Sequence, residues 1–578
     1  MRQVGMLGGA GLPHNGAQLS CEEAPGTSQG AFDLTKPVLG LRPGVWALLV
    51  ALAALIAPVW GSLSSGPTIF DDSYMFWRYA IHLREGLGLA WNPDGVQTYG
   101  LTSHLWVLAT LPFTWLPAHS GYVLPIASML AGTLAFVAMG MGIAANSKSV
   151  ILRDWPMATA FVSLPLLINP FFTFHLSTGM DTMLSFAAHA VIVLAVLGYL
   201  REPSLKRAAM VGAAAFAAVL TRPENGLVAL GVSFFAFVWQ RRFERWPDLA
   251  GLVVLPIGLI GLELIACHVV FGVPLPLSFY AKSLHIYAGF VNPENAVQNL
   301  FMALFMALPF VAVAFATGER RDVGFIAAFL VPVALTFVYL LTMRQVMGWI
   351  GRYYLPFLPY LMIPAMLLLD RRLAAASGLK PIFVRIGITF AAVVAAAVVT
   401  WPVQRALEAA YMKAILPERI ATPSLPTIAN ADTKPPKRIW FDVIGQVADE
   451  IVAPLPRDAV IAASEVGYLG VAARGKVLID LVGLNDTTIG RKGFSMDYLL
   501  ARNPDLIWMP SDDYTGLIAS IYSDPRLFQR YMVVRNAFNY GIAIRRDGPY
   551  AARIEAAARR SWAVLYPEHR FDDYVVRK

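Results

Sequence analysis

The sequence predicts a mostly α-helical, polytopic membrane protein with about eleven transmembrane helices and a small α/β domain at its C-terminus. Three observations predict it. Hydrophobic residues make up 57% of the 578 and charged residues only 15%, where a soluble chain carries roughly 25% charged. Apolar runs of about 20 residues, the length that crosses a bilayer, recur up to Trp401. Beyond Trp401 the chain turns polar, and short β-type runs alternate with helical patterns.

The net charge of +8 does not indicate a nucleic-acid partner. Its basic residues fall in short clusters between apolar runs, the pattern that orients membrane proteins. The two cysteines, Cys21 in the N-terminal tail and Cys267 inside an apolar run, exclude a disulfide framework. Residues 1–43 are rich in Gly, Ser and Pro and read as a disordered cytoplasmic tail. The run 44–64 is long for a signal-peptide core and starts far from the first residue, which predicts a retained anchor.

The membrane domain is expected over 44–402, with spans at 44–64, 122–145, 156–172, 180–200, 207–221, 226–240, 249–271, 296–316, 322–342, 353–370 and 382–402. Leu101 to Pro117 is also apolar, but it is short and proline-interrupted, and whether it spans decides all later sidedness. Left out, with the tail inside, it gives cytoplasmic loops holding Lys148, Arg153, Arg201, Lys206, Arg207, Arg241, Arg242, Arg245, Arg320, Arg321, Arg371 and Arg372. Counted as a span, it reverses that bias. The positive-inside rule therefore predicts a helix lying at the outer interface.

With that orientation the first outer loop is 65–121, and Asp71, Asp72, Glu85, Asp94, Asp181, Glu224 and Glu294 face outward. So do Arg78, Arg84, Arg222, Lys282, Arg344 and Arg352. The working face points away from the cytoplasm. Residues 403–440 read as a Pro- and Ala-rich linker and 441–578 as an outer, periplasmic α/β domain, with a helix at 442–453. Strands are expected at AVIAAS (459–464), KVLIDL (476–481) and DLIWMP (505–510), and a closing hairpin at 531–547.

The adjacent acids Asp71 and Asp72 follow the first span, where carboxylates are costly to desolvate. Asp72 is a good N-cap for a helix 73–85 ending at Gly86, but capping accounts for one acid, not two. Tyr74 and Arg78 are four apart and share a face of that helix; Arg78 fits a structural pair as well as a direct role. TRPENG places Arg222 beside Glu224 at membrane depth, where a guanidinium needs an anion. FGVPLPLSFYAKSLHIY sets Tyr280 and Lys282 in an aromatic outer loop, with snorkelling to headgroups as the plain alternative for the lysine. GRYYLPFLP puts Arg352 at the mouth of a span. STGMDTML puts Asp181 at the start of another, where the helix dipole also favours an acid. His82, His104, His175, His189, His268 and His285 show no metal-ligand spacing with one another or with the cysteines. No P-loop or dinucleotide fingerprint is present.

DDSYMFWRYAIHLREGLGLAWNPDGVQTYGLTSHLW (Asp71 to Trp106) resembles the signature of outward-facing GT-C glycosyltransferases, in particular the mycobacterial terminal arabinofuranosyltransferases and their proteobacterial homologues. STGMDTML is similar to their SGLET segment, TRPEN to their RPE turn, GVPLPLSFYAKS to their PNTYYAK loop and GRYYLPFLP to their GRY-LP span. EVGYLGVAARGKVLIDLVGLND (Glu465 to Asp486) is similar to the start of their outer domain. Ser73, Asp181 and Leu277–Ser278 depart from the family's usual Ala, Glu and Asn-Thr. The resemblance implies a polyprenyl-phosphate sugar donor, a plasma-membrane location and an acid at the first-loop pair.

Physical chemistry leads to the same place. Nucleotide sugars stay in the cytoplasm, so an outward site must be fed by a lipid-borne donor. The acceptor hydroxyl needs a base, and the departing phosphate needs fixed cations. The expected base is Asp71 or Asp72, the other orienting the acceptor or a divalent cation such as Mg2+ or Mn2+, which the sequence does not demand. Arg222, Lys282 and Arg352 are expected to hold the phosphate, and Tyr74, Arg78, Asp181, Glu224 and Tyr280 to orient the substrates. The acceptor is expected to be an envelope glycan or protein. A flippase for lipid-linked sugars is the alternative, but its ionisable groups belong near mid-bilayer.

Overall fold

The computed structural model describes residues 41–576, apart from 69, 240–244, 284–289, 291–292, 344, 377 and 417–436 and the side chains of Ser62, Lys282 and Ser283. Residues 1–40 of the predicted tail, and most of the predicted linker, lie outside the described residues. The first part of that linker is not loop: it continues as a helix, Trp401–Ile415.

Each predicted apolar run is helical, yet the runs are not equal spans. Among the described residues seven helices are long and apolar enough to cross a bilayer, or up to nine if each of two bent pairs counts as one span. One bent pair, Trp155–Leu167 with Pro170–Ser177, turns by 96°. Its break has a local cause. Asn169 caps the second piece by accepting from Phe171 N at 3.0 Å, and Pro170 takes the first helical position, where its missing N–H costs nothing. The other pair, Trp349–Phe357 with Pro359–Ala375, bends by 54°. The runs predicted at 207–221 and 226–240 form helices of 17 and 15 residues, Leu205–Thr221 and Asn225–Trp239. Outward-facing side chains such as Phe315, Val269 and Val399 are more than 70% exposed. Such apolar surface belongs in lipid.

Leu101 to Pro117 does not span. It forms a helix of seven residues, His104–Thr110, and a 3-10 turn, Leu111–Trp115. Its Trp106, Val107 and Thr110 are buried against the first-loop helix Asp71–Arg84.

The C-terminal domain is built on a five-stranded sheet in the order β2-β1-β3-β5-β4. Its strands are β1 Val460–Ala463, β2 Val477–Asp480, β3 Leu506–Trp508, β4 Tyr531–Arg535 and β5 Gly541–Arg545. β1 pairs in parallel with β2 and β3, while β5 runs antiparallel to β3 and β4, closing the hairpin. The period-two alternation of a strand divides the side chains between two cores. Ala462, Ile479 and Ile507 pack with Leu499, Ile521 and Leu527 on one face. Ile461, Ala463 and Leu478 pack on the other with Trp562 and with Tyr74, Tyr79 and Trp91 of the first loop. The C-terminal domain and the first loop therefore share one hydrophobic core.

Candidate active site

A cavity of about 650 Å³ lies where helix ends, the first loop and the C-terminal domain meet. The first-loop helix supplies one wall. Its N-cap is Phe70, and Asp71 and Asp72 both occupy its first turn, so Asp72 is not the cap that the sequence led one to expect. Successive residues on a helix point roughly 100° apart, and the two acids meet different partners. Asp71 is buried, and its carboxylate accepts from Gly467 N at 2.7 Å and Tyr468 N at 2.8 Å. These are the first N–H groups of the helix Gly467–Ala472, which favour an anion. Asp72 keeps about a third of its side chain exposed (31%) and sits 3.8 Å from Arg352.

Gly467 is required for this contact. A Cβ there would stand 1.9 Å from the carbonyl oxygen of Asp71.

The opposite wall is an arginine pair joined by one carboxylate. Asp181 is fully buried and takes Nε and Nη2 of Arg222 at 3.1 and 3.0 Å. The same carboxylate accepts from Arg352 Nη2 at 3.3 Å. Glu224 lies 3.7 Å from Arg222. Both guanidiniums also stand over the ring of Tyr353, at 5.2 and 5.8 Å. Arg352 Nε is buried with no hydrogen-bond partner among the described residues.

The segment that presents Arg352 is strained. Ile350, a β-branched residue, adopts a left-handed conformation with φ 56°, a rare state that only surrounding structure can maintain. His175 Nε2 donates to the carbonyl of Ile350 at 2.9 Å, Gly351 N donates to Asn299 Oδ1 at 3.3 Å, and Gly348 N donates to the Glu294 carboxylate.

The C-terminal domain adds a carboxyl to the cavity, Glu465. Burial pushes its pKa up, and the neighbouring charge of Asp71 adds to the effect. Burial likewise raises Asp71, against its two backbone hydrogen bonds and with the charge of Asp72 adding. Two carboxyls in one dry site do not both ionise readily. Glu465 was legible in the EVGYLG segment as part of a domain start, but nothing in its spacing tied it to the first loop. Asp71, Asp72, Glu224, Glu465 and Asp513 thus line the cavity together with Arg222 and Arg352, while Asp181 lies buried between the two arginines.

Three expected residues lie elsewhere. Tyr74 donates its hydroxyl to the Thr68 carbonyl at 2.7 Å and packs edge-on against Tyr468. Arg78 is buried and donates to carbonyls of Trp91 (2.8 Å), Ala473 (3.1 Å), Lys476 (3.0 Å) and Gly470. Neither lines the cavity. Tyr280 also stays off the lining, which takes Ser278 and Phe279 from its helix instead. Lys282 belongs to the same helix, Leu277–Ser283, but its side chain lies outside the described residues. The pair Asp71–Asp72 does not offer two free carboxylates to a divalent cation, because both oxygens of Asp71 accept backbone bonds.

Helices broken near a largely apolar cavity, a helical first loop beside it and a small C-terminal sheet domain make up an architecture of the GT-C fold class. Two solved structures share that architecture: ArnT from Cupriavidus metallidurans bound to undecaprenyl phosphate and the same protein in the apo state. At 14% identity they align with TM-scores of 0.51 and 0.50, over 86% of this chain and 97% and 98% of theirs. A family described as Domain of unknown function (DUF8728) matches residues 437–566. No curated protein matches the chain.

Proposed function

We propose that the chain is a membrane glycosyltransferase that moves a sugar from a polyprenyl-phosphate donor to an acceptor hydroxyl on the outer face of the bacterial inner membrane. The observation that carries this reading is the cavity itself: a partly exposed carboxylate, Asp72, lies 3.8 Å from one member of an arginine pair, in a space with a large apolar wall. Met75, Leu101, Leu275, Phe279, Met343 and Val346 suit a prenyl chain. Arg222 and Arg352 suit its phosphate. The solved ArnT complex with undecaprenyl phosphate supports a lipid-phosphate donor in this fold.

In the proposed reaction the acceptor hydroxyl attacks the anomeric carbon and its proton passes to Asp72. The bond from that carbon to the phosphate oxygen breaks, and the phosphate keeps the electron pair. Arg352 and Arg222 stabilise the charge that collects there. Asp71 positions the outer domain and is not free to act as base. The first-loop and GRY-LP motifs favour D-arabinofuranose as the sugar, with an envelope glycan or glycoprotein as acceptor. The test is transfer of radiolabelled sugar from synthetic polyprenyl-phosphate arabinofuranose by the purified protein. Transfer of label that is abolished in Asp72→Asn supports the reading; no transfer from pentosyl or hexosyl lipid phosphates would exclude it.

A further inference from the structure

The run Ala250–Phe271 crosses the apolar layer with a single charged side chain, Glu263. It sits eight residues, roughly 12 Å at 1.5 Å per residue, before the helix ends at Phe271. An acid inside an apolar span is costly and is retained for a partner. One turn later on the same face stands Cys267, whose Sγ lies 3.4 Å from Glu263 Oε1. The first loop brings the third group: His104 Nδ1 lies 3.8 Å from the same oxygen. The ligand atoms of His104, Glu263 and Cys267 all fall within 4.8 Å of one another.

We propose that His104, Glu263 and Cys267 form a binding site for a divalent transition metal of the zinc class, outside the cavity described above. The geometry carries it. Tetrahedral zinc with bonds of about 2.0–2.3 Å separates its ligand atoms by about 3.3–3.6 Å, close to the 3.4 and 3.8 Å of the two contacts of Glu263, with His104 and Cys267 within 4.8 Å of each other and drawn together on binding. Thiolate, carboxylate and neutral imidazole sum to minus two, so a divalent ion leaves the site neutral, as a low-dielectric position requires. The donor set of sulfur, nitrogen and oxygen selects zinc over magnesium.

Access and support are also present. Cys267 is buried, while His104 and Glu263 keep 21% and 16% of their side chains exposed, leaving a fourth position reachable. The Tyr99 hydroxyl donates to Glu263 at 3.2 Å, and its ring stacks on Phe271 at 4.7 Å and tilts against His104 at 5.3 Å. Ser103 fixes His104 at a helix start by accepting from Trp106 N at 3.2 Å. The site ties the first loop to the end of a membrane helix. No sequence spacing linked His104 to the cysteine, because the contact spans 163 residues. The readable signal was the lone Glu263 with Cys267 four positions on.

The inference is independent of the proposed reaction and is tested by binding alone. Full-length protein purified in detergent, stripped with chelator and titrated with Co2+, is expected to develop a thiolate-to-cobalt charge-transfer band at one equivalent. Zn2+ is expected to displace the cobalt, raise the unfolding temperature and protect Cys267 from alkylation. Cys267→Ser is expected to abolish the band, His104→Ala to weaken binding at least tenfold, and Cys21→Ser to change nothing. Absence of the band, its persistence in Cys267→Ser, or equal alkylation with and without Zn2+ would each overturn the site. The alkylation result is read on the unmutated residue, so it decides even where a variant does not fold.

Discussion

Asp71 and Arg78 hold the two ends of one short helix. Asp71 accepts from the first N–H groups of Gly467–Ala472, and Arg78 donates to the carbonyls of Gly470 and Ala473 at its other end. The residues are seven apart, two turns along one helix face, and each matches the sign of the helix dipole it meets. The C-terminal domain is thus gripped by charge as well as by the shared aromatic core.

That grip makes the C-terminal domain part of the membrane fold. Arg78→Met keeps bulk but leaves several buried carbonyls unpaired, and hydrogen bonds to a charged group contribute about 1.5–3 kcal/mol each, not additively. A loss on the order of 3 kcal/mol is expected, read as a lowered unfolding temperature in detergent. An unchanged unfolding curve would contradict the grip.

Glycine substitutions in the gripped helix should grade by distance. A Cβ at Gly467 meets backbone at 1.9 Å, whereas one at Gly470 meets side-chain atoms of Trp91 and Arg78 at 3.1 and 3.2 Å. Gly467→Ala is expected to displace the helix and to lower both stability and transfer. Gly470→Ala is expected to cost about 1–3 kcal/mol, the range for one added methyl among packed side chains, and to leave the helix in place. Equal effects in paired thermal scans would show that the Asp71 contact does not fix the docking.

The two adjacent acids should separate kinetically. Asp72→Asn is expected to lower kcat by about 10²–10⁴ with little change in KM, the range for a lost general base. Asp71→Asn offers one acceptor oxygen where two N–H groups point, so its larger effect is expected on unfolding temperature. If Asp72→Asn transfers sugar at the wild-type rate in the lipid-donor assay, the base lies elsewhere.

Much of this was legible in the sequence, and the division has physical reasons. Apolar length marked the membrane helices, although seven to nine rather than eleven are long enough to span among the described residues, and short β-type runs marked β1, β2 and β3 within a residue or two. Asn169–Pro170 did carry the signal for the 96° break, but an apolar run reads through it because composition is unchanged. The acids at 71 and 72 were visible as a pair. Which one is tied to backbone N–H groups and which stays partly exposed was not, because Gly467 lies 396 residues away. For the same reason Tyr74 and Arg78 were correctly placed on one helix face, but that face meets the C-terminal domain and not the cavity.

Glu465 gives the C-terminal domain a pH dependence with a definite sign. Its carboxyl is raised above the ordinary value of 4.5 by burial and by Asp71. Between that value and the raised one, the folded protein keeps a proton that the unfolded chain has lost. Stability therefore falls as pH climbs from about 4.5 through neutrality. Glu465→Gln cannot ionise, so its unfolding temperature should drop less than the wild type's between pH 5 and pH 8. A parallel response in the two proteins would place Glu465 in ordinary solvent.

Sidedness underlies the proposed donor and is open to direct labelling. In a background lacking Cys21 and Cys267, single cysteines are placed at Asp94 in the first loop, at Asp547 in the outer domain and at Arg321 in a predicted cytoplasmic loop. The Asp547 and Arg321 side chains are 78% and 74% exposed, so reactivity reports access and not burial. An impermeant maleimide applied to cells with a permeabilised outer membrane is expected to label the first two and to reach the third only after the inner membrane is breached. The same background keeps Asp72 and both arginines, so transfer activity can be measured on each labelled protein. Labelling of Arg321→Cys in sealed cells, with Asp94→Cys silent, would turn the cavity toward the cytoplasm. A donor whose phosphate waits at the outer surface could not then reach Arg222 and Arg352, and the lipid-linked reading would have to give way to one fed from inside.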